Sequence, residues 1–293
     1  APDQQRPTRN SSAGTPSQPK KGTTVRRIDQ VEPKRDRWGR PLIDGETYTR
    51  ASKLSKSLDD QYNLMKWSAR MTALGIAKSP DLIALASTAT EDERGKLNDI
   101  VDRAKDRALA GAGRDVGTSI HSAAEMLDYG ADISSLPLDV RNDAEGYEFA
   151  RTGAGLEPYC GEVFVANRQL KAAGSFDRLL HCNETGDALI GDIKTGSKDD
   201  PEYAAKYGAL AWSMQLAIYA TALPYDNGWL RWDEWDLPVP SAMRGVIFYI
   251  PRSTGNCYVI DIDLAQGLQA VKLAADVRDA RASSPVLGIR GAA

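Results

Sequence analysis

The chain has 293 residues of which 42% are hydrophobic, enough for one sizeable core or two smaller lobes, so disorder throughout is excluded. Its formal charge of -3 is unevenly spread: residues 1–40 hold ten Lys/Arg against four Asp/Glu, and the remainder holds 27 against 36. That balance excludes a uniformly basic coat for nucleic acid but admits a local basic surface beside a carboxylate site.

Residues 1–40 are rich in proline, glycine, small polar residues and positive charge, and read as a flexible basic arm able to touch phosphate. A helical region is expected over 41–110. In "ASKLSKSLDDQYNLMKWSARMTALGIA", helical spacing places Leu54, Leu58, Tyr62, Met65 and Ala69 on one face, broadened by Trp67 and Met71, and the expectation is burial against the rest of the domain. Pro80 favours a break, and Thr90 and Glu93 have capping-box spacing before a charged helix.

"GRDVGTSIHSAAEMLDYG" continues as a helix with His121 and Glu125 on one side, a pair that on its own need only hydrogen-bond. After a helix near 141–153 the pattern becomes strand-like. "CGEVFVANRQLKAAGSFDRLLHC" and "GDALIGDIKTG" predict a small sheet, with the polar "NETGD" as a hairpin connection. That hairpin would bring Asp177 close to Asp192, fifteen residues later. "YAAKYGALAWSMQLAIYATAL" reads as a helix with Gln215 and Tyr219 on one face and Leu210, Met214, Leu216 and Ile218 as core material. "MRGVIFYIPR" and "CYVIDIDL" add two strands, a terminal helix follows, and 286–293 read as a flexible tail. The fold class expected is α/β, mixed α+β.

Three widely spaced cysteines, Cys160, Cys182 and Cys257, supply neither a zinc signature nor the ligands of an iron–sulfur cluster, so no such cluster is expected. No long apolar span or secretory core is present, and the expectation is no membrane and a cytoplasmic setting.

If the strands converge, the carboxylates of Asp177 and Asp192 supply hard oxygen ligands for Mg²⁺ or Mn²⁺, with the Ile193 carbonyl as another. Strand alternation points Asp192 and Lys194 to one face, where the lysine would orient water or stabilise charge on phosphate, while Ile193 faces the core. His121 would add a nitrogen ligand better suited to Mn²⁺, and Glu162 a further acidic group. The same residues equally suit solvated strand ends and a surface ion pair.

The ordered set "GTSIH", "GEVFV", "GSFDRLL", "GDIKTG" and "QLAIY" resembles the RecB/Cas4-like branch of the PD-(D/E)XK nuclease superfamily. The resemblance implies a restriction-endonuclease-like core over 111–285, a central mixed sheet flanked by helices, with an additional N-terminal helical region. It implies Asp177, Asp192 and Lys194 as catalytic residues and His121, Asp177, Asp192 and Ile193 as metal ligands. Glu162 would give metal or acid support, and Gln215 and Tyr219 would organise the site or touch DNA. The whole arrangement, "YNLMKWSARM" included, is similar to small exonucleases of actinobacterial phages. This implies a Mg²⁺- or Mn²⁺-dependent DNA exonuclease in phage or bacterial DNA processing or recombination, inside a bacterial host cell, with DNA and a recombination or replication protein as partners. The cysteine set of iron–sulfur relatives and a Walker A motif are both missing. The alternatives are a structure-selective DNA endonuclease, a catalytically inactive DNA-binding protein retaining the nuclease fold, and a metal-dependent hydrolase of small phosphoesters.

Overall fold

Residues 25–108 and 112–283 are described by a computed structural model. The first part of the expected arm and the expected 286–293 tail lie outside the described residues. Residues 25–40 have few apolar side chains, yet hydrogen bonds fasten them to the core. The Arg26 N–H donates to the Tyr159 carbonyl at 3.0 Å. The Gln30 amide donates to the Phe164 and Tyr225 carbonyls at 2.7 and 2.5 Å and accepts from the Phe164 N–H at 2.7 Å, so one side chain takes the place of a neighbouring strand. A small hairpin follows, β1 (Leu42–Ile43) and β2 (Glu46–Thr47), turned by Asp44 and Gly45, both at positive φ (52° and 79°) as a two-residue hairpin loop of this hand requires. Strand β3 (Thr49–Arg50) and the short helix α1 (Ala51–Leu54) complete this segment.

The 51–77 stretch is not one helix. Ser55 and Ser57 hydroxyls donate to the backbone carbonyls of Ser52 and Leu54, and the Asp60 carboxylate accepts from the Tyr62 N–H, so local side-chain bonds compete with the helix between Leu54 and Tyr62. Leu54 and Leu58 consequently pack on the core, whereas Tyr62 and Met65, on the far side of the break, are exposed. The single buried face expected from helical spacing is corrected on that point. Beyond the break, α2 (Tyr62–Ala77), α3 (Pro80–Ser87) and α4 (Arg94–Arg107) pack chiefly on one another.

Helices α2 and α4 meet at Gly75, where an added Cβ would overlap the Ala104 carbonyl. Gly75→Val should cost about 1–3 kcal/mol of local stability through overpacking. Hydrogen exchange should then show protection lost in α2 and α4 and retained in the central sheet. Uniform loss across the chain would instead mean that these helices and the sheet unfold as one unit.

The remaining elements build a mixed α/β fold with a central sheet flanked by helices. In order they are α5 (Ala112–Asp128), α6 (Leu138–Gly153), β4 (Leu156–Cys160), β5 (Val163–Asn167), β6 (Ala172–Phe176), β7 (Arg178–Cys182) and β8 (Ala188–Gly196), then α7 (Pro201–Ala220), β9 (Leu223–Pro224), β10 (Arg244–Pro251), β11 (Tyr258–Asp263) and α8 (Leu264–Ala282). The central sheet has the order β11-β10-β8-β7-β4, in which only the β8–β10 pair is parallel. A second sheet has the order β3-β6-β5-β9.

Alternation along the inner strands assigns the two faces. Leu179, Ile190, Ile247 and Tyr249 join the cluster with α7 and α8, while Leu180, Leu189, Ile193 and Phe248 join the cluster with α5 and α6. Both faces of β8 are therefore covered, which is why its first six residues are all buried. Among the described residues, no helix is long and apolar enough to cross a membrane.

Candidate functional site

Asp177 is the single residue between β6 and β7, where the chain leaves one sheet for the other. The β7–β8 ladder ends at the Arg178–Gly191 pair, while β8 continues to pair with β10 as far as Gly196. From Asp192 onward, the β7 side of β8 has lost its strand neighbour. The Asp177 carboxylate fills in, accepting the Ile193 N–H at 2.8 Å. In an extended strand a residue's carbonyl points the same way as its N–H, so the Ile193 carbonyl opens on this side too. Its side chain is buried in the α5/α6 cluster.

Asp192 and Lys194 share the opposite face of β8, their charged atoms 2.5 Å apart. Helix α7 meets them there. Lys194 Nζ donates to Gln215 Oε1 at 3.1 Å, while Gln215 Nε2 donates to the Tyr219 hydroxyl at 3.1 Å and reaches Asp192 at 3.5 Å. From α5, His121 Nδ1 stands 3.2 Å from Asp177 Oδ2. Glu162, at the entrance to β5, is solvent-accessible at the cleft edge, with its carboxyl partly enclosed there. Seven of these eight residues line one cleft of about 330 Å³, and the eighth, Ile193, contributes its backbone.

Burial opposes ionisation of Asp177, but the hydrogen bond and charge of His121, the charge of Arg178 and the Ile193 N–H outweigh it and hold its carboxyl well below the usual range. Asp192 moves the other way, pushed up by burial and by the charge of Asp177 against the pull of Lys194. Burial disfavours a charged His121, yet the adjacent Asp177 and the charge of Asp192 raise it above its ordinary value. Glu162 is raised by desolvation and by Asp177, Glu32 and Glu125, with its bond to Ser175 opposing. Two carboxyls with opposed shifts at one point mark a place where charge is concentrated at a cost to the fold.

Behind Asp177 lies a buried support. Arg178 donates from Nη1 to the Asp177 carbonyl at 3.1 Å and from Nε to Asp128 at 2.5 Å. Asp128 also accepts from the Tyr147 hydroxyl at 3.0 Å and lies 3.3 Å from Arg151 Nε.

No group of three or more His, Cys, Asp or Glu side chains among the described residues is arranged to hold a metal ion as it stands. Asp177 is engaged by His121 and Ile193, and Asp192 by Lys194. The donor chemistry nonetheless fits a hard divalent cation. Two aspartates, an open carbonyl and the adjoining Glu162 are oxygen donors, and the buried Asp192 Oδ2 has an ion-pair neighbour but no hydrogen bond.

Sequence reasoning missed the cationic side of the cleft. Arg35, Arg50 and Ser52 line it with Ala51 and Gly174. Arg35 is held by Glu32 at 2.7 Å, whereas the exposed Arg50 side chain makes no hydrogen bond or ion pair among the described residues. Arg35 lies in the basic run "KRDRWGR" of the arm expected to touch phosphate, whereas Arg50 and Ser52 lie outside that run. The fold and cleft thus define a mixed α/β protein with a carboxylate–lysine site at a sheet junction. In comparison with known proteins, no family model matches the chain and no curated protein matches it in sequence.

Proposed function

We propose that the cleft hydrolyses DNA phosphodiester bonds with Mg²⁺ or Mn²⁺, acting on strand ends in phage or bacterial DNA processing or recombination, on a restriction-endonuclease-like core. The observation that carries this reading is the convergence of Asp177, Asp192, Lys194 and Gln215, from β8, α7 and the sheet junction, in a cleft that Arg35 and Arg50 also line. Carboxylates alone repel phosphate, so cations on the same cleft favour an anionic substrate.

Asp177, Asp192 and the Ile193 carbonyl would hold the ion, with His121 and Glu162 beside them. When bound, the ion would polarise the phosphate and lower the pKa of a water nucleophile. Lys194, oriented by Gln215, would donate to the phosphoryl oxygen or to the attacking water as negative charge grows. Tyr219 holds the Gln215 amide in the orientation that presents its oxygen to Lys194. Arg50, whose side chain has no hydrogen-bond or ion-pair partner among the described residues, would take a non-bridging phosphate oxygen.

The internal pairing of the acids favours one second reading, a DNA-binding protein with a silent site. Labelled single strands, blunt and overhanging duplexes and covalently closed circles, each with Mg²⁺ and with Mn²⁺, separate the readings. Linear DNA should lose terminal nucleotides while closed circles persist. Efficient cutting of closed circles would make the protein an endonuclease, and binding without cutting in either metal would leave the silent site.

A further inference from the structure

The turn next to the cleft carries a feature that neither packing nor the proposed chemistry uses. Lys34, Arg35, Arg37 and Arg40 surround Trp38 within seven residues, with Asp36 as the one acid. Asp36 is spent on building the turn: its carboxylate accepts the N–H groups of Trp38 and Arg40, both at 2.9 Å, and Arg40 Nε at 2.7 Å. Backbone bonds from Asp36 N–H to the Arg40 carbonyl and from Gly39 N–H to the Asp36 carbonyl, each 2.9 Å, close it, with Gly39 at φ 73°. The turn is thus a fixed scaffold, and it holds Trp38 outward.

Trp38 remains 61% exposed, so its ring is accessible to a ligand. The Arg37 guanidinium lies 3.8 Å from its ring centroid and that of Arg40 4.9 Å away. Among the described residues Arg37 has no other partner. Arg35, in the same turn, lines the cleft. An indole with guanidiniums at its face, beside an anion-accepting cleft, has the chemistry that stacks on a base while neutralising the flanking phosphates. Inside a duplex, base faces are covered by their neighbours, so the ligand with a free face is an unpaired strand.

We infer that the Lys34–Arg40 turn docks a single-stranded nucleic acid segment, with Trp38 stacking on an unpaired base and Arg37 and Lys34 on its phosphates. This rests on the proposed nuclease reading for its orientation toward the cleft, since the same strand would continue past Arg35 to Asp192 and Lys194. The charge on the turn matches a strand better than an apolar protein partner.

The test is fluorescence anisotropy of the full chain with a fluorescein-labelled oligothymidine in EDTA, so that no cleavage intervenes, beside a fully paired blunt duplex. Trp38→Ala should weaken binding of the strand by about 5- to 150-fold and leave the weaker binding of the duplex unchanged. Trp38→Phe should keep most of the affinity. Arg37→Ala should make the salt dependence of strand binding shallower. Because Trp38 is exposed, these variants should melt like the parent. Strand binding by Trp38→Ala equal to the parent, or an equal loss on both probes, overturns the inference. If the parent cleaves DNA and Trp38→Ala binds and cleaves identically, the turn is wrong and the nuclease reading stands; if the parent binds through Trp38 yet cleaves nothing, the reverse holds.

Discussion

Asp192→Asn should lose metal-supported DNA cleavage by at least about 10²–10³-fold, the scale of removing one positioned electrostatic group from a reacting centre. The same variant should melt at or above the parent temperature. Burial and the charge of Asp177 both work against ionised Asp192, so a neutral isostere relieves repulsion in the folded state. Lys194 loses a partner but keeps Gln215 and partial access to water. Opposite signs for activity and stability are what a site kept for chemistry should give. Normal turnover by a folded Asp192→Asn protein would sink the assignment, and a large stability loss would mark Asp192 as a structural residue.

Arg178→Met should cost about 3–5 kcal/mol in denaturant unfolding. It removes the close partner of a buried Asp128 carboxylate and leaves that charge to Arg151 and the Tyr147 hydroxyl. Pairing it with Asp128→Asn should recover much of the loss, because the uncompensated charge goes too. Recovery of stability need not restore cleavage, since the bond from Arg178 to the Asp177 carbonyl remains absent. If Arg178→Met unfolds like the parent, the buried network is not holding the sheet junction.

The parts of the molecule that could be read locally are those whose signal is local. The run Ala188–Ile193 is continuous because β8 is covered on both faces, and two-residue alternation is enough to put Asp192 and Lys194 together. The position of Asp177 followed from the hairpin, although not its role as the bond partner of the Ile193 N–H. Periodicity in 51–77 identified apolar residues without saying what would cover them, and the Ser/Asp-rich break sent them to different places. Arg35, Arg50 and Trp38 were out of reach for another reason. Their positions depend on 25–50 docking against the second sheet, partly through Gln30 bonds that span 134 positions to Phe164.

The parallel pairing of β8 with β10 has a consequence for the chain before it is finished. Strand β8 is made early, but the strand that satisfies its other edge arrives only after α7 and the segment up to Arg244. Until then a highly apolar strand exposes an open row of N–H and C=O groups, the template on which a second unfinished chain pairs. Chains truncated before Arg244 should accordingly self-associate, increasingly so as protein concentration rises, whereas in the native state β10 closes that edge.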